Sequence, residues 1–232
     1  MLLKFFRVNA LARKTLAGVA RTQVALALML LVPARTLAYW QAWLYWSLST
    51  AAALITALYF LKHDPALMRR RLGVGARVEP LRSQRRIQGV GGMLFAAMFI
   101  VAGIEHAVHG SPVTAAFVVV ANAIVLAGFA LTFLVFRTNT YTAGTVTVEP
   151  GQYVVATGPY AIVRHPMYAA SVIWFLATPF ALGSPWAIVP AVLMSVTVGV
   201  RLVDEERHLC ASLPGYDAYC ETVRWRLVPG LW

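Results

Sequence analysis

The chain has 232 residues, 59% of them hydrophobic and only 12% charged, with a formal net charge of +11. Soluble domains carry about 25% charged residues, so this composition excludes a water-soluble protein and points to one all-α, polytopic bundle of membrane helices. The positive charge lies between apolar segments rather than on one face, which argues for topology and membrane lipids as partners, not nucleic acid.

About 20 apolar residues make one helical crossing. Six stretches qualify, at roughly 13–34, 38–61, 89–108, 113–136, 167–182 and 185–203. Four of them fill an N-terminal region, 1–136, and the other two belong to a motif-bearing region, 137–232. The first is the weakest, interrupted by Arg21, Thr22 and Gln23, and it shows no small-residue cleavage site of a signal peptide. The second opens with Tyr39, Trp40, Trp43, Tyr45 and Trp46, read as an interfacial aromatic belt. Asn122, inside the fourth, is expected to hydrogen-bond a neighbouring helix. The fifth is short and ends at Pro179, so the last two are expected to form a tight hairpin through Gly183, Ser184 and Pro185.

Charge sets the orientation. With both termini cytoplasmic, 19 of the 20 basic residues fall inside and only Arg35 outside. That is a strong positive-inside bias. It includes the basic 62–86 connection, and it places Arg164, Arg201 and the Glu205-Glu206 pair on one rim. Charged groups at such a rim are candidates for function.

Between the fourth and fifth spans runs a polar connection from Arg137 to Val163. Its Thr145–Gln152 portion reads as a short extended pair around a Pro150-Gly151 turn, and Gly158-Pro159 marks a second turn. Pro166 pushes His165 out of helical geometry and can open the fifth helix. The backbone amides of that helix start then suit an anion. Arg201, Glu205 and His208 share one face if the sixth helix continues past the membrane, with Asp204 and Arg207 on another. Two readings stay open here: interfacial anchors with an intrahelical ion-pair ladder, or a functional site. Leu213 to Tyr219 ends that helix and begins a short one, and Arg224, Trp225 and Arg226 lead to the C-terminus.

No metal site is expected, because the five histidines are scattered and His106 and His109 have only Glu105 beside them. Cys210 and Cys220 lack CxxC spacing and read as free thiols. Glycine-rich phosphate loops and G-x-S-x-G elbows are missing.

Three stretches together resemble a known family: Gly158-Pro-Tyr160-x-x-x-Arg164-His165-Pro166-x-Tyr168, then Arg201-x-x-x-Glu205-Glu206, then Gly215-Tyr216-x-x-Tyr219 with Arg226-Leu-Val-Pro229. They resemble the isoprenylcysteine carboxyl methyltransferases, whose membrane core is shared by phospholipid methyltransferases and some small-thiol methyltransferases. The likeness is close over residues 137–232 and rests mainly on hydropathy before that. It implies S-adenosylmethionine bound at the cytoplasmic end of the bundle and a small hydrophobic or lipid-like acceptor admitted from the bilayer. It places Arg164, His165, Pro166 and Tyr168 in the cofactor-binding turn, with Gly158 and Tyr160 shaping its approach. Glu205 and Glu206 form a second cofactor-facing element, Tyr216 and Tyr219 close over it, and Arg201 orients the acceptor.

A carboxylate acceptor needs a cation such as Arg201 to hold it, whereas an amine, phenol or thiol needs Glu205 or Glu206 to take a proton. The sequence leaves O-, N- and S-methylation open. The alanine-, valine- and arginine-rich composition points to a bacterial inner membrane. Two other readings remain: an NADPH-dependent membrane reductase related to sterol reductases, and a non-enzymatic transporter or scaffold. The transporter would carry its charges near mid-span.

Overall fold

The computed structural model describes residues 2–73 and 76–232, with side chains from Ala10 onward. Val74 and Gly75 of the basic connection, and the side chains of Lys4 and Arg7, lie outside the described residues. Within them the chain is all-helical: α1 (Leu2–Ala34), α2 (Trp40–His63), α3 (Pro65–Arg71), α4 (Arg82–His109), α5 (Ala115–Thr138), α6 (Pro166–Ala181), α7 (Ile188–Ser212) and α8 (Tyr216–Thr222). Five of these elements contain stretches long and apolar enough to cross a membrane, within α1, α2, α4, α5 and Pro185–Ser212. The sixth apolar helix, α6, has 16 residues, about 24 Å of rise. That is short of a hydrocarbon core of about 30 Å, so α6 depends on its neighbours, α5 and α7, for cover.

The outward faces carry exposed Val24, Leu28, Ile55, Leu58, Val119, Val120, Val192 and Val196. So much contiguous apolar surface belongs in lipid, and the chain is an integral membrane protein. The core gathers Leu30, Met98, Phe99, Val125, Phe175 and Leu182. Gly103 sets the closest approach of α1 and α4, since a Cβ there would stand 2.4 Å from the Leu30 carbonyl oxygen. Asn122 crosses to α6 as expected, donating to the Ala181 carbonyl oxygen at 3.2 Å. The hairpin between α6 and α7 turns at Gly183 (φ 68°), and Glu105 of α4 accepts hydrogen bonds there from Ser184 Oγ and the Trp186 N–H.

Three expectations change. The aromatic cluster is not one belt: Trp40 and Trp43 are exposed, but Tyr39 and Tyr45 are core residues that donate to the Leu182 carbonyl and pair with Thr178. Helical periodicity sorts them to different faces. Thr145–Gln152 forms no strand pair; the turn at Gly151 exists, but its flanks are held by side chains. The ladder on α7 does not form either. Asp204 accepts instead from Ser83 Oγ and Gln84 Nε2 of α4, each at 2.8 Å.

An unforeseen element is α3. Asp64 caps it by accepting the Leu67 N–H at 3.0 Å, and Pro65 opens its first turn. It lies across the basic end of the bundle against α1 and α2.

Candidate active site

Pro159 and Tyr160 sit in a short 3-10 turn that begins at Gly158 with φ 58°, a conformation glycine adopts freely. A Cβ on Gly158 would press within 3.2 Å of Thr138 at the end of α5. The turn thereby delivers Arg164 and His165 to the start of α6. Their backbone N–H groups donate to the Trp225 and Arg226 carbonyl oxygens at 2.8 and 3.0 Å, so the tail is laced onto the turn. At the start of α6 few backbone N–H groups are left for an anion. Pro166 has no N–H, and Tyr168 and Ala169 both donate to the His165 carbonyl oxygen.

Side chains complete the knot. Glu206 accepts from Arg164 Nε (2.7 Å) and His165 Nε2 (3.3 Å) on one oxygen and from Arg226 Nε (2.7 Å) on the other. Arg164 Nη1 also donates to the Val223 and Arg224 carbonyl oxygens. Burial lowers the Arg164 pKa, but the hydrogen bond and charge of Glu206, with smaller contributions from Cys220 and Tyr216, together outweigh it and raise it. Tyr216 meets His165 Nε2 at 3.3 Å, and Tyr219 donates to the Tyr160 carbonyl oxygen at 2.7 Å. Burial pushes both phenols above their ordinary range, so they stay neutral.

Beside the knot opens a cleft with about 110 Å³ of enclosed space, narrower than most small-molecule sites. Tyr160, Arg164, His165, Pro166, Tyr168, Arg201, Glu205, Tyr216 and Tyr219 all line it. The structure therefore brings together residues separated by up to 59 positions. Glu206 and Gly158 lie behind its wall rather than on it. Tyr168 occupies the centre: its hydroxyl donates to Glu205 and accepts from Arg201 Nε at 2.8 Å. Arg201 and Glu205 are thus joined through a phenol rather than by a direct ion pair.

The rest of the cleft wall came from no motif. Asn139 to Val146 and Gln152 to Val155 of the polar connection line it. Buried Glu79 holds this segment by accepting the Val146 N–H and Gln88 Nε2 on one oxygen. Arg70 grips Glu149 through two parallel bonds of 2.8 and 2.7 Å. Those bonds hold the Glu149 carboxyl below its usual range.

Residues 116–213 match the phospholipid methyltransferase family. The match runs from α5 to the end of α7 and takes in every lining residue named above except Tyr216 and Tyr219. It covers under half of the chain, leaving α1 to α4 and the tail outside. No curated protein matches the chain.

Proposed function

We propose that the chain is an S-adenosylmethionine-dependent methyltransferase acting on a small apolar or lipid-like acceptor, with its site at the cytoplasmic face of a bacterial inner membrane. The observation that carries this reading is one cleft, lined by the motif residues, inside the segment that matches a methyltransferase family. The likeness to isoprenylcysteine carboxyl methyltransferases agrees with it.

The residues present suit the cofactor. Neutral Tyr160, Tyr216 and Tyr219 offer ring faces to an adenine and to a sulfonium cation. Glu205 offers a carboxylate for an ammonium or hydroxyl donor. S-Adenosylmethionine supplies an electrophilic methyl group whose transfer discharges its positive sulfur. Such a reaction needs alignment and exclusion of water more than acid–base help. Tyr168 fixes the Arg201 and Glu205 side chains relative to each other, and Glu206 fixes the turn that carries Tyr168. Arg201 keeps its Nη1 without a protein partner among the described residues and can orient an acceptor's polar head. Arg164 and Arg226 are both committed to Glu206, so neither is free for the 2′-phosphate of NADPH.

Membranes containing the protein, incubated with methyl-labelled S-adenosylmethionine, test the reading. Label should enter organic-soluble product with the parent protein and fall to background with Arg201→Ala. Background label with the parent protein across a total lipid extract would count against it.

A further inference from the structure

Arg71 ends α3 and reaches the wall of the cleft. Its Nη1 donates to the Ala143 carbonyl oxygen at 3.3 Å and lies 3.7 Å from Met167 Sδ. Its guanidinium stands 4.5 Å from the Phe136 ring centroid. Arg201 reaches the next carbonyl, Gly144, at 3.3 Å, and the next side chain, Tyr168. The two guanidinium groups therefore rest on consecutive residues of the same two segments, which puts two like charges in one seam. Arg201 is balanced by Glu205 through the Tyr168 hydroxyl. Arg71 has no carboxylate at ion-pair distance among the described residues, and its Nε and Nη2 have no protein acceptor there. Burial, with the neighbouring Arg201 adding to it, pushes the Arg71 pKa down to about 10, so it remains charged at neutral pH. A half-buried cation with no counter-ion, beside a second cation, is costly. An anion between them would offset that cost with charge-assisted hydrogen bonds.

Behind Arg71, two contiguous cavities run among α1, α2 and α4. Arg71 and Leu72 line the first. The second, about 350 Å³, ends at Tyr45, Phe129 and Trp174. They share Thr15, Thr22, Gln23, Ala53, Met68 and Phe95. From Thr15 to Leu26, both on the wall, α1 rises about 17 Å. A cationic seam thus opens onto an apolar slot as long as a medium alkyl chain.

We propose that Arg71 and Arg201 form a head-group site for a single-chain anionic amphiphile, whose chain lies in the cavity among α1, α2 and α4. That this molecule is the methyl acceptor rests on the methyltransferase reading; that it binds does not. Arg71 lies outside the matched segment 116–213, so part of the head site belongs to the N-terminal half.

Thermal unfolding of the detergent-purified protein, titrated with myristate, dodecyl phosphate or tetradecylamine, tests the site. Myristate and dodecyl phosphate should stabilise the protein and tetradecylamine should not; whichever acid acts at lower concentration identifies a carboxylate or a phosphate head. Arg71→Gln should raise the half-maximal myristate concentration at least tenfold while the response to S-adenosylhomocysteine stays within about threefold. Ala53→Phe fills the slot without touching the seam and should weaken myristate more than octanoate. This variant serves if Arg71→Gln does not fold. Equal stabilisation by acid and amine, or a myristate response that neither substitution changes, overturns the proposal. A parent protein that ignores S-adenosylhomocysteine yet keeps the preference for acids removes the methyltransferase reading and leaves the anion site standing.

Discussion

Glu206 accepts from Arg164, His165 and Arg226 at once, whereas Glu205, one residue earlier, meets the Tyr168 hydroxyl. The first carboxylate holds turn, helix and tail together, and the second faces the cleft. Glu206→Ala leaves buried Arg164 unpaired and should cost about 3–5 kcal/mol, seen as a lower melting temperature with a parallel loss of S-adenosylhomocysteine affinity. Glu205→Gln should melt close to the parent and lose turnover instead. Arg201 is tested by splitting the same two quantities. Lysine cannot reproduce a guanidinium that donates to Tyr168 from Nε and to Gly144 from Nη2. Arg201→Lys should therefore lower turnover about as far as Arg201→Ala, roughly a hundredfold, with cofactor affinity within about threefold. A joint fall in stability and affinity would make Arg201 a brace only. The convergence of these groups was legible from the motifs and the charge bias. Tyr168's place between Arg201 and Glu205 was not, because helical spacing predicts an i, i+4 pair and cannot see a side chain arriving from α6.

At the scale of elements, the polar connection between α5 and α6 forms much of the cleft wall without secondary structure of its own. Its alternation of threonine and valine from Thr145 to Val148 suggested an extended pair, but a strand needs a partner ladder. Here Glu79 takes the Val146 N–H and Gln152 Oε1 takes the Glu149 N–H. The Glu79 pin, 67 positions away, leaves no trace in local sequence. Asp64-Pro65 carries a start signal for α3, a cap followed by proline at the first turn, which a count of apolar spans passes over. What sequence did not reveal is that this helix turns Arg70 and Arg71 toward a connection some 70 positions away. Breaking the Arg70–Glu149 pair should loosen the wall. Glu149→Gln should speed deuterium exchange across residues 143–152 and weaken S-adenosylhomocysteine several-fold, with the bundle helices unaffected. Glu149 is held below its ordinary value, so the bridge is fully present above about pH 4.3 and is lost as pH falls through the lowered value. Assays near neutrality should see no change from it.

For the whole molecule, if α6 crosses with α1, α2, α4, α5 and α7, the even number of passes sets the N-terminus and the α8 tail at the same end as the basic connection. The lone outlying Arg35 follows α1 at the other end. With the positive-inside bias, a reporter fused after Trp232 should register the cytoplasm, and one inserted beside Arg35 should not. A periplasmic signal from the C-terminal fusion would invert the orientation and separate the cleft from cytoplasmic S-adenosylmethionine. Whether the cleft takes S-adenosylmethionine at all is decided most directly by thermal unfolding of the detergent-purified protein with S-adenosylhomocysteine, with NADPH, or with neither. A ligand at a hundred times its dissociation constant stabilises by about 2.7 kcal/mol. S-Adenosylhomocysteine should raise the melting temperature in a saturable way that Glu205→Gln and Tyr216→Ala diminish, and NADPH should leave it unchanged. Stabilisation by NADPH with no response to S-adenosylhomocysteine would contradict the account.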